Sequence, residues 1–330
     1  MNRIVKTCFA LTLFLITAFP AKSQQEVDFC ISDGLNDSIM CTRIETNMKY
    51  LLQSLNENAV TGKMPKFPSK IYAKDADKKI EEILKNSAMP CATSILKCRV
   101  FLTNDGGYQV RGIPVKVMAA DADKQNQEIV VEFNSLGLID NVSISLETQR
   151  YKALMEEAEG IKDVARRQII IDFVENFRTS YNRKDLKYLQ QVYSDNALII
   201  TGRVVKTVNT PEAPMKYLSQ EKIKYVTQTK KEYLDKLAMV FKATKFLNVD
   251  FSDIEITQHP KYPDIYGVIL KQGWRTDRYS DEGYLFLMID FKDELNPLIQ
   301  VRTWQPTKFP SGKPLPHDQI FHLGSFHIVR

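Results

Sequence analysis

The chain has 330 residues, and its 45 lysines and arginines nearly balance 40 aspartates and glutamates, for a formal net charge of +5. Such a balance gives no case for a nucleic-acid partner. The length exceeds what one hydrophobic core usually holds and suits two domains.

The N-terminus has the features of a secretory signal. Arg3 and Lys6 precede an apolar run from Cys8 to Phe19, and Ala21-Lys22-Ser23 follows as a small-x-small cleavage site. The run is too short to span a bilayer. We therefore expect a signal peptide at 1–23, a processed chain that begins at Gln24 without a membrane span, and export to the periplasm or cell surface of a bacterium. A retained membrane anchor is the alternative.

Four cysteines follow the signal, and an even count in an exported chain predicts disulfides. They are Cys30, Cys41, Cys91 and Cys98. Three pairings are possible, and the two local ones, Cys30–Cys41 and Cys91–Cys98, are favoured because short loops close most readily. A metal site is the weaker alternative, since the spacing has no C-x-x-C and no nearby histidine. No metal and no cofactor are predicted.

The first half predicts helices followed by antiparallel strands. The elements, in chain order, are an irregular entry segment at 24–42, amphipathic helices at 43–58 and 74–87, and β-hairpins at 94–118 and 128–146. The second hairpin turns at Asn134–Gly137, and the first at Asn104–Gly107, where the glycines allow a positive φ. This order indicates an α+β domain over 24–147.

The second half repeats the logic of helices first and sheet second. We predict a linker helix at 148–162, then a long helix capped by Asp163, a short helix at 185–193 and a strand at 196–206. A polar insertion with Pro211 and Pro214 follows, and the capping box Thr229–Glu232 opens the next helix. Four strands at 246–257, 264–274, 283–291 and 298–305 complete the unit, and a tail covers 307–330. The fold class expected for the whole chain is α+β, with two units of helices packed on a curved antiparallel sheet.

A short motif joins the short helix to the first strand of this second unit. It reads Tyr193-Ser194-Asp195-Asn196-Ala197, in which Asp195 and Asn196 suit a turn and Tyr193 suits a buried anchor. With this motif and the element order, residues 163–306 resemble the nuclear transport factor 2-like (cystatin-like α+β) family. The resemblance implies a sheet wrapped around a cone-shaped cavity. The whole chain also resembles exported two-part proteins of Bacteroidetes, most of which have no assigned activity.

Period-2 spacing on the late strands predicts one wall of that cavity. The candidate ligand-binding residues are Tyr266, Gln272, Trp274, Tyr284, Asp290, Arg302 and Trp304. We expect Trp274 and Tyr284 to form a cross-strand pair. A core with polar edges is the alternative interpretation of the same pattern.

Catalysis has little support in the sequence. In the ketosteroid isomerase branch of the resembled family, the general base corresponds to position 201, which is threonine here. Asp290 is the substitute candidate, although pairing with Arg302 across the last hairpin is the expected alternative. His259, which precedes Pro260, is predicted to be a turn histidine.

We therefore expect an exported, non-catalytic protein that binds a small molecule or a protein partner through the cavity or the sheet face. One alternative is a small-molecule isomerase, cyclase or dehydratase that uses the same cavity. The other is a structural component of the cell envelope.

Overall fold

A computed structural model of the chain describes residues 26–103, 106–120, 122–146, 148–157, 161–205, 222–309 and 311–326. The predicted signal peptide, the hairpin tip at 104–105, and the positions of Pro211 and Pro214 lie outside these ranges. Within them, no helix is long and apolar enough to cross a membrane.

The first unit is a five-stranded sheet with two helices. Its elements are β1 (Asp28–Asp33), α1 (Ser38–Thr61), α2 (Ala76–Asn86), β2 (Ile95–Leu102), β3 (Tyr108–Lys116), β4 (Asn126–Phe133) and β5 (Ile139–Ser145). The strands follow the order β1-β2-β3-β4-β5, and all neighbours are antiparallel except β1 and β2. A hydrophobic core lies between the sheet and the helices.

The entry segment at 24–42 was predicted to be irregular, and this was wrong. Phe29 is fully buried on β1, which pairs in parallel with the distant strand β2. The side chain of Asp37 then caps α1 by accepting from the Ile39 and Met40 N–H groups. The partner of β1 lies more than 60 residues further along the chain, so local periodicity carried no sign of the pairing.

The second unit is a six-stranded sheet that curves around helices. Its elements are α3 (Thr148–Glu156), α4 (Ile161–Arg183), α5 (Leu186–Val192), β6 (Tyr193–Val205), β7 (Lys222–Gln228), α6 (Lys230–Ala243), β8 (Leu247–Gln258), β9 (Ile265–Thr276), β10 (Ser280–Asp290) and β11 (Leu298–Pro306). The strand order is β7-β6-β11-β10-β9-β8, and β6 and β11 are parallel. The expected two-unit α+β fold is confirmed, with one parallel pair in each sheet.

The corner between α5 and β6 is immediate, because the helix ends at Val192 and the strand begins at Tyr193. Tyr193 is 1% exposed, as expected of an anchor. Asp195 does not form the turn, however: its exposed carboxylate pairs with Lys230 Nζ at 2.8 Å, and the same ammonium donates to the Tyr193 carbonyl. The motif therefore ties the start of α6 to the start of β6.

The polar insertion ends in a strand that the sequence did not predict. Strand β7 pairs antiparallel with β6 at the edge of the sheet. Gln228 is its only buried residue among those whose exposure is described. With so few buried positions, this edge strand lacks the run of buried apolar residues from which the other strands were predicted.

Helix α4 packs against both sheets, and its polar side chains join the two units. Arg178 Nε donates to the Val249 carbonyl of β8, and Thr179 Oγ1 accepts from the Ile144 N–H of β5. Glu175 accepts from the Leu146 N–H at 2.7 Å and pairs with Arg111 on β3. Burial raises the pKa of the Glu175 carboxyl to about 7.

The two predicted local disulfides are absent, because all four cysteines are free thiols. Cys41 Sγ donates to the Leu35 carbonyl, and Cys91 Sγ donates to the Thr93 carbonyl. Cys98 lies on β2, where the parallel ladder pairs it with Ile31, whereas Cys30 pairs with Lys97 and therefore lies on the other face of the sheet. Burial raises the pKa of the Cys98 thiol to about 11.

Candidate functional site

The second unit contains a cavity of about 560 Å³ between α6 and one face of the sheet. This face is formed by β6 and β9–β11. The side chains that line the cavity include Thr201, Gln228, Tyr233, Lys236, Leu237, Val240, Gln272, Trp274, Arg278, Tyr279, Asp281, Arg302 and Trp304.

Helix α6 forms the first wall. Its start is set by the capping box, in which the Thr229 side chain accepts from the Glu232 N–H and the Glu232 side chain accepts from the Thr229 N–H. From there Tyr233, Leu237 and Val240 follow helical spacing and share one side of the helix. The cap thus determines which residues face the sheet.

The sheet forms the opposite wall, and its register brings both tryptophans of the chain to the cavity. Trp274 lies opposite Asp281 in the β9–β10 ladder. On β11, Trp304 packs over Gly283, where an added Cβ would lie 2.4 Å from the indole Cε2. Glycine at this position of β10 therefore leaves room for an indole on the cavity wall.

A buried arginine lies at the inner end of the cavity. Arg302 is 4% exposed, and its guanidinium carbon lies 4.9 Å from the centre of the Tyr233 ring. Its Nε and Nη1 atoms have no hydrogen-bond partner among the described residues. The cation therefore has two buried donors without a partner, which native structures rarely leave without a reason.

Three tyrosine hydroxyls adjoin this guanidinium. Tyr181 is central: its hydroxyl lies 3.2 Å from that of Tyr193 and 2.8 Å from that of Tyr233. Burial raises the pKa of Tyr181 well above its ordinary value, so the hydroxyl stays protonated at neutral pH. The inner end of the cavity is consequently a chain of neutral hydroxyls beside one fixed cation.

Asp281 is the acidic group of the cavity lining. Its Oδ2 accepts from the Tyr279 hydroxyl at 2.7 Å, whereas its buried Oδ1 has no partner among the described residues. Burial raises the pKa of this carboxyl.

A short polar chain closes the side of the cavity near β7. Lys236 Nζ donates to Gln228 Oε1 at 2.7 Å, and Gln228 Nε2 donates to Thr201 Oγ1 at 3.0 Å. Thr201 thus reaches the cavity, as its alignment with the isomerase base implies, but with a neutral hydroxyl. These groups are hydrogen-bonded to one another, so this side of the cavity is already paired.

Comparisons with known proteins address the fold of this unit. No protein-family model matches the sequence, and a comparison with curated proteins gives no match. A nuclear transport factor 2-like protein from Cytophaga hutchinsonii is 15% identical over 42% of this chain and 97% of its own, with a TM-score of 0.31. A similar protein from Shewanella oneidensis is 15% identical over 42% and 96%, with a TM-score of 0.30.

Bd1075 of Bdellovibrio bacteriovorus is 16% identical over 52% of this chain, with a TM-score of 0.33, and the match spans 56% of Bd1075 itself. At such identities and TM-scores these proteins say nothing about the activity of this chain. The order of helices and strands and the parallel β6–β11 pair describe the fold directly. The second unit has a nuclear transport factor 2-like fold.

Four of the seven predicted wall residues line the cavity of this nuclear transport factor 2-like unit: Gln272, Trp274, Arg302 and Trp304. Arg302 and Trp304 share a face two positions apart, as expected. Gln272 is 4% exposed, and its Oε1 has no partner among the described residues. The spacing of β9 and β11 was therefore interpreted correctly.

Tyr284 lies outside the cavity, and its predicted pairing with Trp274 was wrong. The β9–β10 connection is shorter than expected, since Thr276 donates to the Tyr279 carbonyl at 2.8 Å and Ser280 already pairs with Arg275. Tyr284 pairs instead with Lys271. Because strand faces alternate, this register places Tyr284 on the outer face of the sheet.

Tyr266 and Asp290 lie at the far end of the same strands. Tyr266 is a core residue whose ring contacts Phe291 at 5.8 Å. Asp290 accepts from the Lys292 N–H at 2.9 Å and forms no ion pair with Arg302. It is nine residues from Asp281 along β10, about 30 Å in an extended strand. Both proposed roles of Asp290, as a base and as the partner of Arg302, are therefore wrong.

The remaining candidates behave as structural residues. His259 Nδ1 accepts from the Lys261 and Tyr262 N–H groups, so it is the predicted turn histidine. Among the described residues, no group of three or more histidine, cysteine or acidic side chains could hold a metal ion.

Sequence reasoning missed the acidic group of the site. Asp281 lies in the segment between the predicted strands 264–274 and 283–291, for which a loop was predicted. At two-residue spacing, however, it shares a sheet face with Leu285 and Leu287, which are buried in the core. This two-residue spacing was the signal that could have placed Asp281 on the cavity side of the sheet. Lys236 was missed as well, because one cationic residue on an amphipathic helix usually indicates a solvated face.

Proposed function

We propose that this chain is an exported protein that binds a small molecule in the cavity of its second unit and does not transform it. The observation that carries the proposal is an open cavity of drug-like volume, walled by two tryptophans and ending in a buried cation with free donors. Ligand sites combine an apolar lining with a few convergent polar groups in this way. A purely structural protein would be expected to fill this space with its own side chains.

Two further observations favour a small ligand over a protein bound on the sheet face. The outer face of the sheet is covered by C-terminal residues, with Leu323 packed on Phe286 and Met288. Leu323 also lies over Gly267: a Cβ added at Gly267 would lie 2.5 Å from the Leu323 Cγ. This face is therefore already occupied within the chain.

Export is part of the proposal and rests on the N-terminal sequence. The basic residues, the short apolar run and the Ala21-Lys22-Ser23 site support a cleaved signal. A compartment outside the cytoplasm suits a protein that captures a ligand without converting it.

Catalysis remains a second candidate because of Asp281. A carboxyl with a raised pKa and a free oxygen in a cavity is a possible general acid. Among the described lining residues there is no histidine or cysteine, and Thr201 is not basic, so the proton-transfer group next to Asp281 is the Tyr279 hydroxyl, 2.7 Å from its Oδ2. If the protein is an isomerase, cyclase or dehydratase, Asp281→Asn should abolish turnover and preserve ligand binding.

The two tryptophans make the binding proposal directly testable, since both line the cavity. Excitation at the tryptophan band, with the neutral dye 1-aminoanthracene as acceptor, reports a dye held in this cavity. Val240→Phe adds volume at a lining position that is 37% exposed. Met239→Phe adds an aromatic ring at the neighbouring position, which is 64% exposed and does not line the cavity.

We expect saturable energy transfer in the wild type and in Met239→Phe, and at least tenfold weaker binding in Val240→Phe. Equal binding in both variants would place the dye elsewhere. Absence of binding in the wild type would remove the support for a ligand cavity.

A further inference from the structure

The buried cation of the cavity forms no ion pair among the described residues, although its charge acts on the Asp281 carboxyl and favours the ionised form there. No carboxylate of the described residues lies within ion-pair distance of Arg302, although its side chain is almost wholly shielded from water. A guanidinium cannot lose its proton at physiological pH. Burying a charge without a partner is costly, so a protein that keeps one gains from a partner supplied from outside.

The other cations of the lining are already engaged. Lys236 donates to Gln228, and Arg278 lies 3.7 Å from Asp277. With Asp281 as the acidic group, cations outnumber carboxylates in the lining by three to one. The cavity is therefore electrostatically suited to an anion, and its unsatisfied donors are concentrated on Arg302.

Much of the remaining cavity surface is apolar. Leu237 and Val240 of α6 lie across from the indoles of Trp274 and Trp304. Such walls bind a hydrocarbon or ring by burial of apolar surface and offer few polar partners beyond the inner end. The expected ligand is an anionic head group on an apolar body.

We propose that the cavity takes small molecules in which a carboxylate is attached to an aliphatic or aromatic body, with the carboxylate hydrogen-bonded to Arg302. This inference rests on the ligand-binding function proposed above. A guanidinium donates charge-assisted hydrogen bonds to a carboxylate, and these are stronger than bonds to a neutral acceptor; the unpartnered Nε or Nη1 of Arg302 would supply such a donor. The body lies against the two indoles.

The test compares 4-cyclohexylbutanoate with 4-cyclohexylbutanamide, which share the apolar body and differ in charge. Neither absorbs in the tryptophan band, so fluorescence of the two cavity tryptophans follows binding directly. We expect the acid to bind the wild type about tenfold or more tightly than the amide, because a hydrogen bond to a charged group is stronger than one to a neutral group.

In Arg302→Met this preference should fall to within about twofold, because the cation is replaced by an apolar chain of similar length. Arg278→Met, at the rim, should keep the preference. If Arg302→Met does not fold, Arg302→Gln serves instead, and the wild-type thermal stabilisation by acid and amide gives an independent comparison.

Equal binding of acid and amide by the wild type would overturn the inference, as would a preference that survives removal of Arg302. Failure of the acid to bind, while 1-aminoanthracene still binds, would also overturn it and leave the proposed function standing. If neither the dye nor the acid binds, the proposed function itself fails.

Discussion

The hydroxyl chain at the inner end of the cavity allows a quantitative test of the site geometry. Tyr181 forms both hydrogen bonds of this chain, to Tyr193 at 3.2 Å and to Tyr233 at 2.8 Å. Among the described residues, neither outer hydroxyl has another hydrogen-bond partner. Tyr181→Phe removes the central hydroxyl without changing the ring, so it breaks both bonds and leaves the aromatic packing intact.

The expected cost follows from burial. A net hydrogen bond contributes about 1 kcal/mol, and a buried hydroxyl left without a partner costs about 1–3 kcal/mol. Tyr193 is 1% exposed and cannot reach water, whereas Tyr233 is 9% exposed and borders the cavity. We therefore expect Tyr181→Phe to lower the free energy of unfolding by about 2–4 kcal/mol, and Tyr233→Phe by about 1 kcal/mol.

Denaturant unfolding followed by far-ultraviolet circular dichroism measures both changes. The variant that replaces all three tyrosines by phenylalanine is the matched control, because it removes every hydroxyl and leaves none unpaired. It should be less destabilised than Tyr181→Phe alone. If Tyr181→Phe costs no more than Tyr233→Phe, or the triple variant costs the sum of the single changes, the hydrogen-bonded chain is not the source of the stability.

Four further outcomes are expected. Because the pKa of Glu175 is raised to about 7, the folded state binds this proton more tightly than the unfolded chain does. The free energy of unfolding should therefore fall by about 1 kcal/mol from pH 6 to pH 8. Glu175→Gln should remove this part of the pH dependence, as measured by denaturant unfolding at both pH values. Trp304→Ala should abolish binding of 1-aminoanthracene and shift the melting temperature less than loss of a fully buried aromatic, which costs about 3–5 kcal/mol; a larger loss would make Trp304 a core residue. Thiol titration of the exported protein, unfolded without reductant, should give four free thiols. Peptide mapping that finds Cys91 linked to Cys98 would contradict this and support the disulfide predicted from the sequence. N-terminal sequencing of the exported protein should begin near Gln24, and a full-length product would refute cleavage.

Elements that are determined locally were predictable from the sequence. The capping box at Thr229–Glu232 predicted the start of α6, and the motif at Tyr193 marked the passage from helix to strand. On β9, Gln272 and Trp274 were assigned to the cavity face from period-2 spacing alone, and the structure places them there. Each of these features depends on residues within a few positions of one another.

What the sequence could not decide was which residues become neighbours across strands. Asp281 joined the site and Tyr284 left it because the β9–β10 connection is tighter than its composition suggested, and a change of register exchanges the two faces of a strand. The parallel partner of β1 and the buried environment of Arg302 likewise depend on residues distant in sequence. Local periodicity determines the type of an element, but only the assembled sheet determines its register, and the register decides which polar groups are buried without a partner.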